Sequence, residues 1–334
     1  MTELSPNAPD ADAASGDPTP VVALAGVHRT FGDTPALTGL SFEVPAKSIT
    51  VLLGPNGAGK TTCTRVITGA LGPDSGDVRV FGLDPTVDGE EVRRRCGIVS
   101  AKPALYDRLS GMDNLGYAAE LYGLGRGQLA HDRIMAASDR FGIVGALEAQ
   151  VGGYSTGMKT RLALARSVLH EPDLLLYDEP TSGLDPESSY AVLELIREMT
   201  GDGNTVVMCT HLLLETEGLA DQVVMLQEGT SLIAGTPDAL VRQYWPDDTV
   251  VFDAEDRARL SVRDDLPGVL RTEPGARGTV VALDRLDRVP DLVHALSADG
   301  VRLTRVEVER HTLENLYFAV RKASGQNRIG EVHA

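Results

Sequence analysis

The chain has 334 residues, enough for a sizeable core and a second small domain. Its formal charge is −17, with 48 acidic against 31 basic residues, which disfavours phosphate-tracking nucleic-acid binding and supplies no polybasic membrane anchor. Three cysteines without paired spacing exclude a disulfide framework and point to a reducing compartment.

Residues 1–20 are rich in Ala, Asp, Pro and Ser, lack Lys and Arg, and read as a disordered tail rather than a secretory signal. No window has the apolar length needed to span a bilayer, so a cytoplasmic chain is expected. Residues 21–245 read as one α/β unit. The apolar run 48–53 ends in a glycine-rich turn, the pattern of a buried parallel strand feeding a helix; 173–177 and 205–210 repeat the apolar run. Cys63 and Cys209 sit beside apolar residues and read as core. Arg93-Arg94-Arg95 reads as a solvated helix face. Within 105–152 the stripes Leu115, Ala118, Leu121 and Ile134, Ala137, Phe141 predict a helical insertion. After Trp245 the composition changes. Short strands are expected at 249–253, 278–283 and 301–308, and helices at 289–298 and 312–322. This is a small α+β appendage over 246–323, followed by a flexible tail at 324–334.

Several motifs carry chemistry. Gly54-Pro55-Asn56-Gly57-Ala58-Gly59-Lys60-Thr61-Thr62 contains G-x-x-x-x-G-K-[ST] after an apolar strand. Its glycines let backbone N–H groups turn inward around the phosphates of a nucleotide, Lys60 adds a point charge, and the Thr61 hydroxyl can ligate Mg²⁺. A helix starting near Lys60 adds its positive end. Asp178 and Glu179 close an apolar strand, where paired carboxylates need compensation. Mg²⁺ held by Asp178 would provide it, leaving Glu179 as general base on a water attacking the γ-phosphate. His211 follows the run Val206-Val207-Met208-Cys209-Thr210. If that strand neighbours the one ending in Asp178, its imidazole reaches the same phosphate. Tyr154-Ser155-Thr156-Gly157-Met158 precedes an amphipathic helix. Ser155 and Gly157 therefore stand at a second helix N-terminus, best explained as addressing the nucleotide of a second copy.

Together these motifs, with Ser182-Gly183-Leu184-Asp185, resemble the ATPase domain of ATP-binding cassette (ABC) transporters over residues 21–245. The resemblance implies an α/β P-loop NTPase cassette with a mixed sheet, a helical subdomain at 105–152 and a C-terminal α+β domain. It makes residues 54–62 Walker A, Asp178 and Glu179 the end of Walker B with the catalytic glutamate, and His211 the switch histidine. Tyr154 to Met158 fill the signature, where Ser155 and Gly157 match and the other three positions vary. Asp185 falls in the D-loop, and Phe31 falls where the family stacks an aromatic on adenine; the alternative for Phe31 is the core of the first sheet.

ATP and Mg²⁺ are the implied ligands. The implied partners are a second cassette, packed head to tail, and separately encoded transmembrane permease subunits, through which alone the chain would meet the membrane's inner face. One position departs from the family: Ala101 stands where a glutamine is usual. Thr312-Leu313-Glu314-Asn315-Leu316-Tyr317-Phe318 resembles a C-terminal segment of ATPase subunits that serve drug, antibiotic and polysaccharide exporters. That suggests an exporter subunit, with a role for the segment in dimerisation or control; the simpler reading has Leu313, Leu316 and Val320 close the appendage's own core. A soluble non-transport ABC ATPase and a regulatory nucleotide binder are the other readings.

Overall fold

The computed structural model describes residues 19–260 and 268–323. The tails expected at 1–20 and 324–334 lie outside these residues, apart from positions 19 and 20. Among the described residues the strands form three sheets.

The chain opens with an antiparallel pair, β1 (Val22–Phe31) and β2 (Thr34–Val44), turned at Gly32 with φ +57°. In β2 the buried residues Leu40, Phe42 and Val44 recur every second position, the mark of a half-buried strand. Next come β3 (Ile49–Leu53), α1 (Lys60–Ile67) and β4 (Ser75–Val80), which returns to pair with β1. The segments α2 (Gly89–Arg94) and β5 (Cys96–Val99) lead into the helical insertion, α3 (Gly111–Leu121) and α4 (Gln128–Arg140). Then follow α5 (Thr156–Val168), β6 (Leu174–Asp178), α6 (Pro186–Gly201), β7 (Thr205–Thr210), α7 (Leu213–Thr216), β8 (Gln222–Gln227), β9 (Thr230–Gly235) and α8 (Pro237–Tyr244).

The central sheet has the order β5-β6-β7-β3-β8-β9 and is parallel except for β9. Every residue of β3, β6 and β7 is buried, yet their side chains divide between two cores. Val51, Leu175, Tyr177 and Met208 face one side with α3, α4, α5 and α6. Leu52, Leu176, Val207 and Cys209 face the other with α1 and the antiparallel sheet. Strands covered on both faces must be apolar at every position, so the runs show no alternation in sequence.

Three sequence expectations are corrected. Leu121 is 70% exposed. Six residues on from Leu115 it has rotated about 120° around the helix, off the buried stripe. The arginine run is not uniformly solvated: Arg94 pairs with Glu90 and Glu91, but Arg95 pairs with Asp173 while lying over the Phe81 ring. The third correction concerns the C-terminus.

The appendage comprises β10 (Asp248–Ala254), β11 (Val269–Gly275), β12 (Gly278–Leu283), α9 (Val289–Ala298) and β13 (Leu303–Glu309), its sheet ordered β11-β12-β10-β13. Its core is closed by Leu292 and Leu296 of α9 against Val250, Phe252, Val281 and Leu283. Leu313, Leu316 and Val320 of the last helix, α10 (Leu313–Ala323), take no part in it. They are buried in the cassette core with Leu219 and Leu240, because α9 already covers the small sheet and α10 packs on α7 and α8. Trp245 stacks on His311, ring centroids 4.1 Å apart, so the chain returns to the cassette beside its point of departure.

Candidate functional site

The loop between β3 and α1 is compressed between two neighbours. A Cβ on Gly54 would lie 2.4 Å from the Leu226 carbonyl oxygen, and one on Gly59, at φ +102°, would lie 2.6 Å from that of Ala36. Only glycine fits at both positions. Gly57 has φ +83° with open space around it, and Ala58 N–H donates to Pro55 O. The backbone thus curls into a cradle at the N-terminus of α1. Residues 55–62 line one cleft together with Ala36, Ala101, Asp178 and Glu179.

Lys60 is 6% exposed and donates from Nζ to Gly54 O at 2.6 Å and to Pro55 O at 3.3 Å. Its ammonium also lies 3.3 Å from Glu179 Oε1. Thr61 Oγ1 donates to Asp178 Oδ2 at 2.7 Å. Asp178 is buried at the end of β6, where parallel pairing sets it opposite Cys209 of β7. The next residue, Glu179, has φ +53°, a left-handed conformation that costs a non-glycine residue roughly 1–2 kcal/mol. It is held there by Glu179 N–H donating to Cys209 O and by Ser182 N–H donating to Glu179 O. The turn sends the carboxylate between Lys60 and His211: Oε2 accepts from His211 Nδ1 at 2.8 Å, and Oε1 is buried without a hydrogen bond, facing the ammonium. Since the carboxylate accepts, Nδ1 carries a proton in this bond.

The other expected residues lie outside that cleft. Ser155 caps α5, its hydroxyl accepting from Met158 N–H, and Asp185 caps α6, accepting from Ser188 N–H at 2.9 Å and Ser188 Oγ at 2.7 Å. These bonds hold the Asp185 carboxyl below its ordinary range. The two helix starts are neighbours, since a Cβ on Gly157 would stand 3.7 Å from Ser188 Oγ. Phe31 is not core; it is 46% exposed, with the Arg29 guanidinium 5.1 Å from its ring centre. That guanidinium is in turn anchored on Asp74.

Sequence reasoning missed two residues that fasten the Ala101 segment. Arg166 of α5 donates to the Ala104 carbonyl, and His170 donates from Nε2 to Cys96 O at 3.0 Å while stacking on Tyr122, centroids 3.7 Å apart. The start of β5 and the middle of the β5–α3 connection therefore hang on α5 and its extension. The available signal was a basic residue within the apolar stretch Leu162 to Leu169.

Oxygen donors converge on the cleft from Thr61 and Asp178, and no cluster of three or more His, Cys, Asp or Glu capable of holding a metal occurs among the described residues. A hydroxyl and one carboxylate fit Mg²⁺, which takes few protein ligands and shares the phosphates of its nucleotide.

Comparison with known proteins agrees with this geometry. The ABC transporter family model matches residues 37–182. A daunorubicin resistance ATP-binding protein of Streptomyces coeruleorubidus is 33% identical over 299 residues, covering 89% of this chain and 94% of that protein. A Nod factor export ATP-binding protein of Burkholderia lata is 34% identical over 249 residues, covering 75% and 81%. The solved structure of an ATP-binding subunit of an ABC transporter superposes with a TM-score of 0.61 at 29% identity, over 67% of this chain and 93% of that one. The chain belongs to the ABC transporter family, as one of its ATP-binding, ATP-hydrolysing subunits.

Proposed function

We propose that this subunit powers export of a drug-like or other amphipathic small molecule through separately encoded membrane subunits. The observation that carries the hydrolytic part is the linked set Lys60, Glu179 and His211 above one phosphate cradle. The relatives named for daunorubicin resistance and Nod factor export support the direction.

In this reading the cradle amides and Lys60 hold the β- and γ-phosphates. Lys60 now shares Glu179, so its ammonium turns from that carboxylate to the phosphates when ATP enters. Glu179 Oε1 is then left as a buried acceptor for a proton of the attacking water. His211, oriented through Nδ1–H by Glu179, presents Nε2 to the γ-phosphate side. Thr61 and Asp178 would hold Mg²⁺, which would supply charge neutralisation to the phosphates. Phe31 stacks on the adenine, its exposed ring being available for it.

Ser155, Gly157 and Asp185 serve the nucleotide of a second cassette. Their separation from the chain's own cleft and their adjacency to one another support this. Residues 21–245, completed by α10, act as the cassette, and the small sheet with α9 between 246 and 309 acts as an accessory domain. The permease docks on the helical insertion, where Tyr106, Tyr117 and Leu121 are 51%, 45% and 70% exposed. No helix among the described residues is long and apolar enough to cross a membrane, so placement at the inner membrane face rests on the permease.

Glu179→Gln tests the reading. With Mg-ATP the variant is expected to bind nucleotide, lose hydrolysis and elute from a sizing column as a dimer. A variant that binds ATP but stays monomeric sinks the head-to-tail arrangement for this chain alone.

A further inference from the structure

We infer that the last helix acts on the hydrolytic site, with Leu316 a positioning residue for His211. The inference rests on the role given to His211 above. His211 is held unevenly. Its side chain is 42% exposed and bonded to Glu179, so its place depends on the backbone that carries it. Upstream that backbone is β7, fully buried in the sheet. Downstream it is α7, four residues long and starting two residues after His211. A helix that short does not hold itself; its position follows from what it packs against.

What it packs against is α10. Leu316 is fully buried, and Leu313 and Val320 are each 3% exposed, in the same core as Met208 of β7 and Leu219 just beyond α7. Leu213, the first residue of α7, packs against that core too. The root of α10 is fixed in its turn. Asn315 N–H donates to Thr312 Oγ1 at 3.2 Å and Thr312 N–H to Asn315 Oδ1 at 2.9 Å, while His311 stacks on Trp245. A displacement of α10 therefore reaches the peptide of His211 through packed side chains, without passing through the nucleotide cleft.

Trp245 is the only tryptophan of the chain and stands at that root, so its fluorescence reports on α10. Two measurements on the full chain test the inference. In the first, Mg-ATP binding is followed with labelled nucleotide alongside Trp245 emission. Wild type should show an emission change on binding, and His211→Ala should bind ATP with that change lost. An unchanged emission in wild type at saturating ATP, or a full change in His211→Ala, overturns the coupling. Absence of ATP binding by wild type would instead overturn the nucleotide reading itself. In the second, Leu316→Ala should lower kcat about tenfold with KM for ATP within about twofold, and Leu316→Met should restore kcat, since a volume-conserving change keeps the packing. Equal losses of kcat and ATP affinity in both variants, or wild-type kcat in a folded Leu316→Ala, overturn it. Should Leu316→Ala fail to fold, the first measurement decides.

Discussion

Glu179 and His211 stand thirty-two residues apart in sequence and are joined by a 2.8 Å hydrogen bond. Parallel pairing brings them together: with Asp178 in register with Cys209, the residues just past each strand end meet above the sheet. The left-handed backbone at Glu179 completes the contact by turning its carboxylate back over the loop. The same carboxylate faces Lys60, so the acid, the cation and the imidazole form one electrostatic unit.

His211→Ala breaks that unit on one side and leaves the cradle intact. It should lower kcat on the order of a hundredfold while ATP affinity stays near wild type. Steady-state hydrolysis together with equilibrium nucleotide binding checks this; a parallel loss of binding would show that His211 supports the cradle itself.

Ala101 lines the cleft but offers no polar atom from its side chain. Ala101→Gln adds one hydrogen-bonding group there and should raise the hydrolysis rate, by about two- to tenfold, the scale of one net hydrogen bond. An unchanged rate, with or without the permease, would mean the position is idle.

Gly54→Ala forces a methyl group to within 2.4 Å of a backbone oxygen of β8, and the Ala58 Cβ at 3.1 Å leaves little room to yield. A loss of about 1–3 kcal/mol in unfolding free energy is expected, with ATP binding weakened in proportion to loop distortion. Gly57→Ala, in open space, should cost only the strain of its positive φ, about 1 kcal/mol. Urea unfolding of the pair separates the two effects.

His170 carries a pH signature. Burial holds its imidazole below the ordinary value of 6.5, and Nδ1 is buried without a partner, so protonation places an unpaired N–H⁺ inside. The depressed group contributes stability that is complete above pH 6.5 and is lost as pH falls from there through the folded-state value. The urea midpoint of wild type should therefore drop between pH 7.5 and pH 5 by more than that of His170→Gln, whose amide can still donate toward Cys96 O. Parallel drops in the two proteins would assign the acid sensitivity elsewhere.

The parts legible in sequence are those where local residue choice and site coincide. The β3 run feeding Gly54, the acidic end of β6 and the histidine after β7 each announce themselves, because a buried strand must be apolar and its exit must be polar. The α9 helix was readable from Leu292 and Leu296 spaced for one face. Contacts formed between distant segments were not. In the antiparallel pair β1 and β2 the register is broken by irregularities, so clean alternation is confined to the stretch from Leu40 to Val44. The destination of Leu313, Leu316 and Val320 was likewise hidden. An amphipathic helix states that it needs a core, and nothing in its own residues says which. Arg166 and His170 act through backbone carbonyls, which leave no trace in the residue types of the segment they hold.

The Trp245–His311 stack has a consequence for how the protein can change over time. Since the chain leaves and re-enters the cassette at one point, the small sheet is topologically a long surface excursion between two cassette helices, α8 and α10. The entropy of closing such an excursion grows only with the logarithm of its length, about 0.6 kcal/mol for each doubling. The module at its tip is free to lengthen, shrink or diverge in sequence at little cost to folding. The two rings at its neck and the three apolar residues of α10 are not.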